Sequence, residues 1–562
     1  MLAMLINHLT DDREVTLPKA AQIVNVHEGL TSLLVIVVAQ LSDSYFGRLK
    51  LILFTNTAFI FGLMMLWYES HRLSIKALFG ALALLTLGKA GRDVTLKAFL
   101  ADQLRISGEE PNLEEEELIE ARRKLIWRFC WILGIIMATV WLSNEKWEAL
   151  AKKSTIAMAA GFFVFLPGIP FYKHEDTFPS PILNAFNVVK AAVLKGHLNY
   201  PTSPDQLFKN YSKSATEILP HIAFLRVCFD LFDLKQQNEL HIPVVFRWLD
   251  KAAILEPSPS CPVSTEQVES GRLFEVAKVK DVKRLISMFP LWSTFYVYSL
   301  VGATANTFFY EQANYINDHL GEISRVPIVV FVIIMTFTSS ITSIICSWFK
   351  DRSTNARRPP LNRIRFGMFF SIICCAVACG VEVHRLHRVK VEDNQISIFW
   401  LTPQFLLVGL MEGLSESGLQ DFFETQVCES MKEYGPQFSE FSDGIGKFFS
   451  VICILIFHFW FDEDVDTSRL DKYYAMLTVP TFLNFVFCCI VSNWYANQPH
   501  GQSETDDNAQ ELQDGVADDN AQELQDGFAD DNAQELQDGV AEDNAQELQD
   551  GVANENSGFE EN

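Results

Sequence analysis

Ionisable side chains set inside long apolar stretches are the residues here whose types and spacing could do chemistry. "GKAGRDVTLK" (88–97) holds Lys89, Asp93 and Lys97 at i, i+4 and i+8, which puts them on one helical face, with Arg92 beside it. "LVGLMEGLSESG" (407–418) holds Glu412, with Glu416 one turn on. Charge is costly in hydrocarbon, so such groups mark solute paths, ion paths or proton relays. A carboxylate there can carry a proton or bind a solute, and a lysine can neutralise it. "YSLVGATANTFFYEQ" (298–312) adds Thr304, Asn306 and Gln312 as candidate hydrogen-bonders to a solute in a cavity.

Each has a plainer reading beside it. Lys89 and Lys97 could simply neutralise Asp93 in a structural ion pair. Glu412 could be hydrogen-bonded for helix packing, and Thr304, Asn306 and Gln312 could bridge helices, as small polar residues do in membranes. The charged turn "DSYFGRLK" (43–50) joins two apolar runs. Gly47 permits a tight turn, Asp43 can cap a helix or pair with a base across a bundle, and Arg48 and Lys50 hold the turn at the cytoplasm. This turn is either part of an inner gate or a topology-setting loop.

No nucleophile, metal-ligand or phosphate-binding spacing stands out, so an enzyme, a cofactor and a metal are not expected, nor is a nucleic-acid partner. The 11 cysteines include Cys374, Cys375, Cys379, Cys453, Cys488 and Cys489 inside apolar runs, where they read as small core residues.

The elements that must hold these residues are membrane spans. Of 562 residues, 49% are hydrophobic and 45 are Phe. The apolar residues fall into eleven runs of about 20, the length that crosses a bilayer. Lipid cannot satisfy an open backbone, so these runs must be helices. Five lie before residue 173 and six after residue 285, with a polar stretch between them that is far longer than an ordinary connector. The expected organisation is therefore an N-terminal helical bundle over 1–172, a central cytoplasmic loop over 173–285, a C-terminal six-helix bundle over 286–495 and a tail over 496–562. Lys350, Arg352, Arg357, Arg358, Arg363 and Arg365 in one loop, and Arg122, Arg123, Lys124 and Arg128 before another span, mark the cytoplasmic side. The basic loop 384–390 is an exception on the opposite side.

The net charge of −25 belongs mostly to the tail. Twenty acids and no Lys or Arg follow Ala496, so −25 + 20 leaves −5 for the membrane body. A 12-residue unit, "DDNAQELQDGVA", starts at Asp506 and recurs at Asp518, Asp530 and Glu542 with small changes. Each unit has four acids and few apolar residues, so disorder is expected.

Several strings stand in the order of one family: "DSYFGR" (43–48), "AFLADQL" (98–104), "FRWLDKAAI" (246–254), "VKRLISMFPLW" (282–292), "PLNRI" (360–364) and "FWLTPQFLLVGLMEG" (399–413). Over residues 1 to about 495 the chain resembles the plant nitrate transporter and peptide transporter family, a branch of the proton-dependent oligopeptide transporters. That resemblance implies an all-α membrane protein with the major facilitator fold: two helical bundles, 11 complete spans and a truncated first helix. It implies proton-coupled uptake of a small-molecule or ion substrate, with protons as candidate co-substrate and the lipid bilayer as surroundings, in a multi-pass protein of the plasma or vacuolar membrane.

Residue by residue, the resemblance places Glu412 on the family's substrate-site glutamate and Asp93 where the family has a coupling lysine. Gly302 stands where some relatives have a nitrate-selective histidine, and Leu51 where they have an affinity-switching threonine. The opening "MLAMLINHLTDD" matches only the last turns of the family's first helix, without its Glu-x-x-Glu-Arg motif. The expectation is a transporter with altered or absent proton coupling, leaving Asp93 and Glu412 as candidate carriers. The alternative is a non-transporting relative, or a membrane scaffold whose acidic tail binds partners.

Overall fold

The computed structural model describes residues 4–497 apart from 70–74, 105–112, 143–145, 174–180, 199–243, 256–266, 269, 318, 321–323, 349–356, 393–394, 433 and 463–464. The acidic repeats lie outside the described residues. A short helical segment, Leu5–Asn7, continues as a π turn over His8–Asp12. Five long helices follow: α1 Leu17–Leu41, α2 Arg48–Glu69, α3 Ile75–Leu104, α4 Leu113–Leu142 and α5 Trp147–Phe165. The central region contributes α6 Pro181–Leu194, a 3-10 helix Val244–Ala253 and α7 Val276–Ser287. The second set is α8 Phe289–Thr304, α9 Val329–Trp348, α10 Arg358–His387, α11 Thr402–Gln426, α12 Gly435–Ile456 and α13 Leu470–Ala496. The described strands are a two-residue antiparallel pair, His319–Leu320 with Ser324–Arg325.

Among the described residues, eight helical stretches are long and apolar enough by composition to cross a bilayer. Helices α3 and α12 fall short of that measure because they carry the charges of interest: Lys89, Arg92, Asp93 and Lys97 on one, Glu440, Asp443 and Lys447 on the other. Helix α4 presents Phe129, Ile132, Ile136 and Met137 outward. An exposed apolar face of this kind is what a helix against lipid requires.

Packing divides along the same line as the sequence. Helix α2 packs on α3, and α11 packs on both α9 and α10. The halves meet where α1 lies along α12. Their approach depends on two glycines. A Cβ on Gly29 would meet the Gly444 carbonyl at 3.3 Å and the Phe448 ring at 3.0 Å, and one on Gly444 would meet the Gly29 carbonyl at 3.0 Å. Small residues at a crossing let two membrane helices come close enough for dispersion and hydrogen bonds to hold them.

Two family-like strings in the central region meet in space. "FRWLDKAAI" forms most of the 3-10 helix and "VKRLISMFPLW" runs from α7 into α8, and Lys283 donates to Asp250 at 2.5 Å between them. Lys195, after α6, is fully buried and donates to the Ile254 carbonyl at 2.6 Å. This part of the central region is therefore an ordered helical cap.

Candidate functional site: a charged seam between the two halves

The α1–α12 crossing carries polar groups on one face of each helix. Asn25 Nδ2 donates to Ser450 Oγ at 3.1 Å, Lys447 Nζ lies 3.6 Å from Glu28 Oε2, and Ser32 Oγ donates to Glu440 Oε2 at 3.3 Å. Positions 25, 28 and 32 are spaced i, i+3 and i+7, and the helices run antiparallel, so three matched levels are what helical geometry gives. Lys447 also bonds Asp443, one turn away on its own helix, at 2.6 Å.

Glu412, half-buried in the middle of α11, lies within electrostatic reach of Glu28, Asp443 and Lys447. Glu416 interacts with Glu412, Glu440, Asp443 and Lys97. Lys89 of α3 reaches Glu28 and His27 of α1. The result is a cluster of acids and lysines contributed by α1, α3, α11 and α12. Exposure rises across it: Lys447 is buried, Glu28 and Glu412 are half-buried, and Glu416 and Glu440 are exposed. The exposed pair sits toward the ends of α11 and α12 nearest the Asp43 turn, so the seam is more open at that end.

The residues singled out in the sequence are not all at this seam. Asp93 lies on α3, and its side chain falls outside the described residues. Lys89, Arg92 and Lys97 each engage another group. Lys89 faces Glu28, the Arg92 guanidinium lies 4.8 Å from the Phe59 ring centre, and Lys97 Nζ lies 5.3 Å from the Trp127 ring centre. These bases therefore have partners on neighbouring helices, while their expected contact with Asp93 lies outside the described residues. Thr304 is buried, and its hydroxyl donates to the Leu300 carbonyl of its own helix at 2.9 Å. It is not a cavity donor, since its proton is already committed. Asn306 is half-buried in a π turn, Ala305–Phe309, which interrupts the helix running on from α8.

Gln312 requires the clearest correction. It is fully buried and donates to Glu382 Oε2 at 2.5 Å, while its Oε1 accepts from Gln404 at 3.2 Å. Glu382 in turn takes two hydrogen bonds at 2.8 Å from the Arg385 guanidinium. Arg385 also reaches Asp466 and the Val465 carbonyl. Gln312 belongs to this network within the second half, engaged there both as donor and as acceptor.

The inner turn is built as a bridge. Gly47 has φ +80, a left-handed conformation that favours glycine. Arg48 donates to Asp43 at 3.3 Å and to Asp102 at the end of α3, while Asp43 accepts from the Tyr434 hydroxyl at 2.6 Å. Tyr434 precedes α12, so this bond joins the two halves at the end marked by the Gly47 turn. At the other end of α1, Asn314 donates to Asp11 at 3.2 Å, again between halves, beside a cleft of about 450 Å³.

Sequence reasoning missed Glu28, Asp443, Lys447 and Glu311. Glu28 and Lys447 each sit on the polar side of a helix whose other faces are apolar, a signal that was present but diluted at the run edges. Glu311 is a fully buried acid between the quoted Tyr310 and Gln312.

Two helical halves facing each other across a charged, partly wet seam define a solute carrier of the major facilitator type. Residues 50–467 match the POT family, and the chain belongs to it. Among its relatives, Protein NRT1/PTR FAMILY 5.6 of Arabidopsis thaliana is 27% identical over 529 residues, covering 87% of this chain and 86% of that protein. An auto-inhibited POT family peptide transporter matches the fold with a TM-score of 0.62 at 15% identity, over 88% of this chain and 93% of that one. A POT family transporter solved in complex with 5-aminolevulinic acid matches with a TM-score of 0.56 at 11% identity, over 88% and 92%. The protein is thus a multi-pass membrane transporter with the major facilitator fold, and not an enzyme.

Proposed function

We propose that this chain moves a small polar solute, together with protons, through the seam between its halves, with Glu412 at the centre of the path. The observation that carries the reading is the placement of Glu412: mid-helix, half-buried, and facing charges from both halves. A carboxylate there can bind a solute group in one state and exchange a proton in another, and a charge change at that point alters the relative stability of the two states. Glu28, Glu440 and Asp443 supply further protonatable groups beside it, so coupling does not depend on Asp93.

The solute class is that of small polar organic molecules, a reading supported by the 5-aminolevulinic acid complex of one structural relative. Asn306, half-buried in the π turn that follows α8, is the candidate hydrogen-bonding residue of that segment. The membrane is the plasma or vacuolar membrane, with residues 173–285 and the tail on the cytoplasmic side.

Uptake in oocytes at acid and neutral pH, over nitrate, dipeptides and amino acids of this size, tests the proposal. Uptake that rises at acid pH and is lost in Glu412→Gln at equal surface expression is expected. Unchanged uptake kinetics in Glu412→Gln would remove Glu412 from the path.

A further inference from the structure

We propose that Glu28, Lys447 and Asp443, with Lys89, form a partner-exchange latch between the two halves. In this structure Lys447 of the second half is shared between Glu28 of the first half, at 3.6 Å, and Asp443 of its own helix, at 2.6 Å. Glu28 likewise has a second cation, Lys89, on α3 of its own half. Each member of the cross-half pair therefore has a substitute partner that travels with it.

That arrangement solves a physical problem. A buried ion pair between two moving bodies is hard to open, because breaking it strands two charges at a cost of about 3–5 kcal/mol. Here, when α1 and α12 part, Lys447 keeps Asp443 and Glu28 keeps Lys89. Glu412 and Glu440 of the second half also face Lys447, and His27, bonded to Thr86 at 2.8 Å, lies beside Glu28 and faces Lys89 and Lys447. Both members of the cross-half pair, Glu28 and Lys447, thus keep an opposite charge on their own half. The equilibrium between latched and open states is then set by the difference between the cross-half pair and the two own-half pairs, which is the differential interaction a carrier needs. The Gly29–Gly444 crossing next to the pair makes the latched state all-or-none, since the helices either seat on each other or separate.

The inference rests on the carrier reading above, and it makes predictions of opposite sign. Glu28→Gln removes the cross-half pair and favours the open state. Asp443→Asn removes the substitute for Lys447, and Lys89→Met removes the substitute for Glu28, so both favour the latched state.

The test uses the full chain in lipid nanodiscs, with spin labels on encoded amino acids at Tyr45 and Thr425, both exposed at the cytoplasmic ends of opposite halves. The ratio of short to long label distances reports latched against open. Glu28→Gln should lower that ratio roughly fivefold or more, the low end of ordinary coupling energies. Asp443→Asn should raise it, and Lys89→Met provides the same sign should Asp443→Asn not fold. The double variant Glu28→Gln, Lys447→Gln should shift the ratio no further than Glu28→Gln alone. Shifts of one sign in Glu28→Gln and Asp443→Asn, or melting changes with no shift in ratio, would overturn the latch and leave the pair as packing. A chain that takes up solute yet shows that pattern would keep the carrier reading and lose this one.

Discussion

The molecule contains two networks built from the same side chains, and they behave as opposites. At the α1–α12 crossing, Glu28 and Asp443 are only half-buried around a buried Lys447, their distances spread from 2.6 to 3.6 Å, and partners come from both halves. In the second half, Arg385 and Glu382 are fully buried, paired by two 2.8 Å bonds, and closed off by Gln312, Gln404 and Asp466. An arginine holds a carboxylate through a planar fork, which rewards one fixed geometry. A lysine is a point charge on a flexible stem and can turn from one carboxylate to another. The comparison teaches that an intramembrane charge is not by itself a transport residue: where its partners all lie inside one half, it stabilises that half, and where partners are shared across halves, it can report their separation.

The largest effect expected from breaking this contrast is at the closed network. Arg385→Met leaves Glu382 buried without its fork and should destabilise the second half by about 3–5 kcal/mol. Thermal-stability profiling by size-exclusion fluorescence checks it, and any folded fraction should keep its transport per molecule. Next comes Glu412→Gln, which should lower uptake roughly tenfold or more while leaving melting nearly unchanged, as expected for a functional intramembrane acid. If the two variants exchanged signatures, the division between holding and moving charges would be wrong.

Gly444→Val sharpens the comparison from the packing side. Its side chain would press on the Gly29 carbonyl and on Ser32, both about 3 Å from the added carbon, and overpacking of this kind costs roughly 1–3 kcal/mol. The same spin-label pair should show the latched population falling, with the Arg385 network intact. The smallest effect is expected at the inner bridge. Tyr434→Phe removes one hydrogen bond to Asp43, worth about 1 kcal/mol, and leaves the carboxylate with Arg48. A small rise in open population, visible at low temperature, is the expected outcome.

The membrane class, its helical nature and the family were legible in the chain, because each depends on local composition or on strings read in order. Runs of apolar residues this long leave a helix as the spanning structure. The charged stretch that joins α1 to α2 was legible as a turn for the same reason: only a glycine takes the conformation at residue 47 without strain. Glu412 was also readable, as an acid in the middle of an apolar run.

What only the tertiary structure decided was partnership. Gln312 and Asn306 lie six residues apart in similar surroundings, yet one is sealed into the Arg385 network and the other remains half-buried in a π turn. Lys89, Arg92 and Lys97 share a short stretch of helix, yet each is claimed by a different neighbour. Glu28 and Lys447 are 419 residues apart by subtraction, 447 − 28, and no pattern along the chain joins them. The reason is physical. Whether a polar group in a membrane is inert or active depends on which opposite charge stands within a few ångströms, and that is fixed by how helices cross, through contacts such as Gly29 on Gly444.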